Sequence, residues 1–266
     1  MAAEQKVVAT VLSKGASSVL IFFVTLTLIL FLVLRVFTID RVIQMNMEIA
    51  ILAGHLVLIF PSTPGENEIG CKIVSIALHL FFLACFMFMM LEAVHMYTLV
   101  AYVVKKDGLF DRKVNLAIGW GVAVFIVGVS VGFEWAHYGA AYHCWLRMDT
   151  GVLIAQQLPV IVIMILTFTL IEAAGNAEYK PLSGMDKKQL TSARFSQRTN
   201  LIIMPMVYAH WILGTLAEYE QNLYLYSIFS VMNGILGFLI FSFHCSNNQQ
   251  VREKLSKAVK NLRGGV

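Results

Sequence analysis

Seven apolar stretches, a shortage of charge and a lopsided placement of cations predict an all-α membrane protein. The expected architecture is a seven-transmembrane helix bundle followed by a short amphipathic cytosolic helix. Of the 266 residues, 58% are hydrophobic and 14% are charged, whereas a soluble domain carries about 25% charged residues. Lipid must therefore face much of the surface. A hydrocarbon core of ~30 Å needs roughly 20 residues at about 1.5 Å each. Spans of that kind read at Ala16–Phe37, Val42–Phe60, Ile73–Val104, Val114–Phe133, Val152–Ala174, Asn200–Leu216 and Leu223–Phe243.

Each span is set off by its flanks. The start, residues 1–15, is too polar for the apolar region of a signal peptide and reads as a short extracellular segment. The first span has Arg35 near its end at Phe37, and the second begins after Arg41 and ends before Pro61-Ser62-Thr63-Pro64-Gly65. The third exceeds the membrane thickness, so it must tilt or run into the cytosol before Lys105-Lys106-Asp107-Gly108. Pro181, Ser183 and Gly184 lie in the connection between spans five and six. The sixth span is the shortest and is interrupted by His210, and the seventh runs to Phe243. Residues 16–243 thus hold the helices, and 244–266 form a cytosolic tail. In that tail Val251, Leu255, Val259 and Leu262 recur at helical spacing among cations, as suits a helix lying on anionic membrane lipids. No internal repeat is visible, which disfavours transporters built from duplicated halves.

Orientation follows from lysine and arginine. One set of loops holds Arg35, Arg41, Lys105, Lys106, Arg112, Lys113 and the basic run from Lys180 to Arg198, and the tail adds five more cations. The opposite side has only Lys6, Lys14, Lys72 and Arg147. The tail is accordingly expected in the cytosol. On that topology Cys71 and Cys144 face an oxidising compartment, while Cys85 lies in the membrane and Cys245 at the cytosolic end. Cys71–Cys144 is then the one disulfide that compartment allows, the alternative being two free thiols. Trp145 follows directly and is expected over the mouth of the helices, as a plug or a ligand wall.

A carboxylate at the membrane centre costs at least about 2.5–3.5 kcal/mol, so polar groups there need partners. Glu92 and His95 lie one turn apart in span three, Gln44 and Asn46 near the cytosolic end of span two, and His244 at the end of span seven. They read as one inner polar cluster, either a switch or a static interhelical knot. Pro205 and Gly214 in span six, beside Trp211, permit a bend. Asn233, Gly234 and Gly237 repeat the theme in span seven.

Taken in order, four stretches resemble the adhesion class of G-protein-coupled receptors: LHLFFLACFMFMMLEAVHMY in span three, YGAAYHCWL before span five, HWILGTLA in span six, and VMNGILGFLIFSFHCSNNQQVREK across span seven and the tail. The chain departs from that pattern at Gln44, where the class commonly has histidine, and at Leu236, where it often has glutamine. Residues 1–15 do not look like the class's tethered agonist, and its autoproteolytic ectodomain is absent from this sequence. The resemblance implies a plasma-membrane receptor that couples an extracellular peptide or tethered agonist to a heterotrimeric G protein. The agonist would press on Trp145, Trp211, Phe82, Phe86 and Asn233. Span six would bend near Pro205 and Gly214, with Gly237 as a further hinge. The cavity so opened would be lined by Gln44, Glu92, His95, Tyr97 and His244, with Lys187 and Lys188 beside it.

Other functions fare less well. A retinal protein needs a lysine in its last span, and Leu223–Phe243 has none. A channel or transporter needs polar groups through the membrane centre, whereas the clearest ones here sit toward one end, with Gln156, Gln157 and His210 toward the other. No His-Glu-x-x-His or comparable ligand spacing suggests a metalloenzyme, and no catalytic residue or cofactor is expected. A non-signalling adhesion or scaffold protein of the same fold is the alternative.

Overall fold

A computed structural model describes residues 3–59, 67–100, 108–139, 144, 151–176 and 187–263. Its helices are α1 (Ala3–Val33), α2 (Ile39–Ile59), α3 (Glu68–Val100), α4 (Arg112–Glu134), α5 (Gly151–Asn176), α6 (Lys187–Glu220), α7 (Leu223–Phe241) and α8 (Gln249–Arg263). A 3₁₀ turn, Trp135–His137, follows α4, and a π turn, Ser242–Ser246, links α7 to α8. The first seven helices are long and apolar enough to cross a membrane. This is the all-α, seven-span architecture read from the sequence. In hydrocarbon every backbone polar group must be paired within the protein, and a helix does so segment by segment. Hydroxyls inside the spans bond back to their own helix: Thr27 donates to the Phe23 carbonyl at 3.0 Å, Thr215 to Trp211 at 2.9 Å and Ser230 to Tyr226 at 2.7 Å.

Two helices differ most from the sequence reading. The first begins at Ala3 rather than Ala16, because the residues from Glu4 to Ser18 contain no proline and only one glycine to stop a helix. The sixth is the longest of all, at 34 residues. Its polar first half, KKQLTSARFSQRTN, is rich in helix formers and carries the helix past the apolar window that hydropathy detects. The expected span ends Phe60 and Val104 lie outside the described residues.

The chain divides into two compact units, Met1–Arg41 with Asp186–Val266, and Val42–Met185. In the first, α7 packs on α1 and α6. Phe23 of α1 meets Phe238 and Phe241, each with ring centroids 5.9 Å apart. Gly237 allows a close backbone approach, since a Cβ there would stand 2.8 Å from the Leu20 Cα. His210 of α6 stacks on Phe229 of α7 at 4.8 Å, and Gly214 makes room for the same ring. The tail helix is held at the far end of α1, where Lys254 Nζ donates to the carbonyls of Leu34 (3.2 Å) and Arg35 (2.7 Å). A cation is favourable there because the last carbonyls of a helix have no partner of their own. Val251 of α8 is buried, whereas Leu255 and Val259 are exposed.

In the second unit α3 is the central element and packs on α4 and α5. Its length from Leu78 to Ala93 is almost continuously buried. Trp120 of α4 sets its ring edge-on to Phe81 and Phe88 of α3 and donates from Nε1 to Asn46 of α2 at 3.0 Å. Asp111 caps α4 by accepting from the Val114 N–H at 2.8 Å, and Asn115 donates back to the carbonyls of Phe110 and Asp111.

Replacing Gly237 by alanine is expected to cost about 1–3 kcal/mol, because backbone rather than a flexible side chain stands in the way. Thermal unfolding in lipid nanodiscs checks this against Gly234→Ala, where nothing lies within 4 Å and no loss is expected.

Candidate functional site

Polar groups in the second unit gather toward the two ends of α3. Near the Glu92 end, Gln44 of α2 donates its side-chain amide to the Glu92 carboxylate. Both residues are buried. A carboxylate in this setting needs such a donor, since neither lipid nor water can replace it. Glu48, one turn along α2, and His55, two turns further, lie on the same face as Gln44 and are 0% exposed. The ring of His55 stands edge-on to Phe82 at 6.3 Å. His95, one turn beyond Glu92, is buried, and Gly108 lies directly against its ring. Gly108 has φ +77°, and a side chain there would collide with the imidazole.

At the other end the Cys71–Cys144 disulfide is formed. Beside it the segment after α4 is tied to α3 by a second, non-covalent link. His79 Nδ1 lies 2.9 Å from the Tyr138 hydroxyl, which donates to Ser130 at 2.8 Å. Burial pushes the Tyr138 phenol above its usual pKa, so it stays a neutral donor. Gly139, at φ +84°, brings the backbone against Cys71. Lys72 pairs with Glu68 at 2.8 Å and lies 5.5 Å from the centre of the Trp135 ring.

In the first unit Trp211 and Asn233 are both buried, and Pro205 stands inside an unbroken α6. His244 and Cys245 are buried within the π turn. A π turn of this kind re-aims side chains without ending the helix.

A protein-family model described as 7 transmembrane receptor (Secretin family) matches residues 4–240. The chain belongs to this family. Among its relatives, adhesion G-protein coupled receptor D1 of Bos taurus is 27% identical over 226 residues, covering 82% of this chain and 24% of the relative. Adhesion G protein-coupled receptor E5 of Bos taurus is 30% identical over 221 residues, 81% of this chain and 30% of the relative. Cadherin EGF LAG seven-pass G-type receptor 1 of Homo sapiens is 27% identical over 244 residues, 91% of this chain and 8% of the relative. The chain thus spans less than a third of the length of each, and the resemblance of its motifs to adhesion receptors is borne out.

Within this secretin-family domain, the expected residues fall as follows. Cys71 and Cys144 are joined. Gln44, Glu92 and His95 belong to one unit, and the first two are bonded directly. Tyr97 is half-buried near the same end of α3, and His244 belongs to the other unit. Phe82 and Phe86 are buried on α3. Gly214 and Gly237, expected as loosening points, sit at close helix contacts. Trp145 lies outside the described residues, as do the side chains of Lys187 and Lys188, which open α6. The sequence reading missed Glu48 and His55, so polar groups on α2 extend farther from the Gln44 end than expected. Their recurrence at helical spacing from Gln44 was the available signal. It also missed the His79–Tyr138–Ser130 chain.

Tyr138→Phe removes the hydroxyl that ties His79 to Ser130 and strands a buried imidazole nitrogen. The expected cost is about 1–3 kcal/mol, seen as a lower melting temperature, with Ser130→Ala losing less because His79 keeps its partner.

Proposed function

We propose that this chain is the signal-transmitting membrane domain of a plasma-membrane G-protein-coupled receptor of the adhesion type. The observation that carries the reading is the family match over residues 4–240, together with relatives whose names describe G-protein-coupled receptors. In this reading the Cys71 end faces outside and residues 244–266 lie in the cytosol, following the excess of cations on that side. Residues 16–243 carry the signal across, and residues 1–15 lead in from outside. The outside partner is a peptide or tethered agonist, with Trp145, Phe82 and Phe86 as its proposed contacts in one unit and Trp211 and Asn233 in the other. The inside partner is a heterotrimeric G protein.

The transmission step is a change in the balance of two cytosol-facing shapes. In the closed one the Gln44–Glu92 bond holds the inner ends of α2 and α3 together. In the open one the inner half of α6 swings outward, with Pro205 and Gly214 as the points of bending and Gly237 yielding in α7. Pro205 supports this role because it removes a backbone hydrogen bond in mid-helix. His95 and Tyr97 in one unit, and His244 in the other, are the proposed G-protein contacts, and Lys187, Lys188, Arg194 and Arg198 steer its approach. Arg194 and Arg198 are exposed. An agonist shifts this balance only by its differential affinity for the open shape.

Nucleotide exchange on a panel of purified G proteins, with the receptor in lipid nanodiscs and agonist peptides grafted ahead of α1, tests the reading. At least one G protein is expected to release GDP faster. Glu92→Gln, which weakens the inner bond, is expected to raise basal exchange by about 5-fold or more. No exchange on any G protein would leave an adhesion or scaffold role for the same fold.

A further inference from the structure

The segment from Gly108 to Asp111 leads into α4 and is held at both ends. Asn115 of α4, itself buried, donates to the carbonyls of Phe110 at 3.1 Å and Asp111 at 3.0 Å. The Asp111 carboxylate accepts from the Val114 N–H at 2.8 Å. At the other end Gly108 rests on the buried ring of His95 of α3. Its φ of +77° would strain any residue that carries a side chain. Strain is only half of the demand for glycine here. A Cβ would also enter the space of His95 Nδ1 and Cε1. These are atoms of a rigid, buried ring rather than the tip of a flexible chain, so the ring itself would have to leave. Gly139 supplies the contrast. Its φ is +84°, yet the atom nearest to a Cβ there is the Cys71 Sγ at 3.5 Å, an ordinary contact.

The seat on His95 closes a path of contacts through three helices. Gln44 of α2 donates to Glu92, one turn before His95 on α3. Asn46 of α2 accepts from Trp120 of α4 at 3.0 Å. Asn115, on the same α4, holds the segment before that helix, and Gly108 returns the path to α3 at His95. Thr98 donates to the His95 carbonyl at 2.9 Å, so the backbone that carries the ring is tied as well. Every link but the last is a hydrogen bond. The last is steric, and it exists only while nothing larger than hydrogen stands at position 108.

We propose that Gly108 is a positioning residue, which sets where the His95 imidazole stands by bringing bare backbone against it. The proposal rests on the receptor reading for its meaning, because His95 is there a G-protein contact. A side chain at 108 acts through His95, by displacing the ring, and needs no contact of its own with the partner.

The test compares Gly108→Ala, Gly139→Ala, His95→Ala and the double variant His95→Ala/Gly108→Ala in lipid nanodiscs. Gly108→Ala is expected to melt at least about 5 °C below Gly139→Ala, because it alone adds a collision to the backbone strain. In the His95→Ala background the same glycine substitution is expected to cost less than about half as much. With isotope-labelled histidine, the ring signal that His95→Ala removes is expected to shift in Gly108→Ala and to stay in place in Gly139→Ala. At equal amounts of folded receptor, Gly108→Ala is expected to slow agonist-driven GDP release about 5-fold or more. Equal melting losses for the two glycines, the same loss in both backgrounds, an unmoved His95 signal or GDP release at the unsubstituted rate each overturn the proposal. If Gly108→Ala does not fold, the double variant decides, its folding supporting the seat and its failure overturning it. A receptor that releases GDP from no G protein defeats the receptor reading alone, and the ring signal and the two backgrounds still judge the seat.

Discussion

The bond from Gln44 to Glu92 is the contact on which the described architecture turns. A carboxylate buried among helices in lipid has no water to fall back on, so its donor decides how two helices align. Gln44 supplies that donor from α2, and the same helix uses Asn46 to accept from Trp120 of α4. Trp120 in turn wedges against Phe81 and Phe88 of α3. Three helices are thereby registered near one end of α3 by two polar bonds and a ring cluster. At the opposite end the disulfide and the His79–Tyr138–Ser130 chain do the same for α3 and the segment after α4. The helix between is almost wholly buried.

The other unit is held by different means. Without a hydrophobic force between helices in lipid, close packing and hydrogen bonds must supply the attraction. Gly237 against Leu20 and Gly214 against Phe229 provide the close packing, and the stacked pair His210 and Phe229 joins α6 to α7. Lys254 fastens the tail helix to the end of α1 by carbonyls that the helix itself leaves unpaired.

Much of this was legible from residue order because lipid imposes a coarse rule on every span. The seven apolar runs, the tail helix and the Cys71–Cys144 pairing all follow from hydropathy, cation placement and redox compartment. The length of α6 did not follow, because its first half is polar and only helix propensity speaks for it. Glu48 and His55 were lost in an apolar run, although their spacing from Gln44 marks a single helix face. The bond between His79 and Tyr138 joins residues 59 apart in sequence and leaves no local pattern. Gly214 and Gly237 illustrate a different ambiguity. A glycine can serve both as a flexible point and as a tight contact, and the neighbouring atoms show only the contact.

A double-mutant cycle on Gln44 and Glu92 tests the central contact most directly. Gln44→Leu, Glu92→Leu and the double variant are compared by thermal unfolding in nanodiscs. If the bond registers α2 on α3, the double variant loses less than the two singles together, with a coupling of about 0.6–1.7 kcal/mol. Losses that add to within about 0.3 kcal/mol would show the two side chains to be independent and contradict the account.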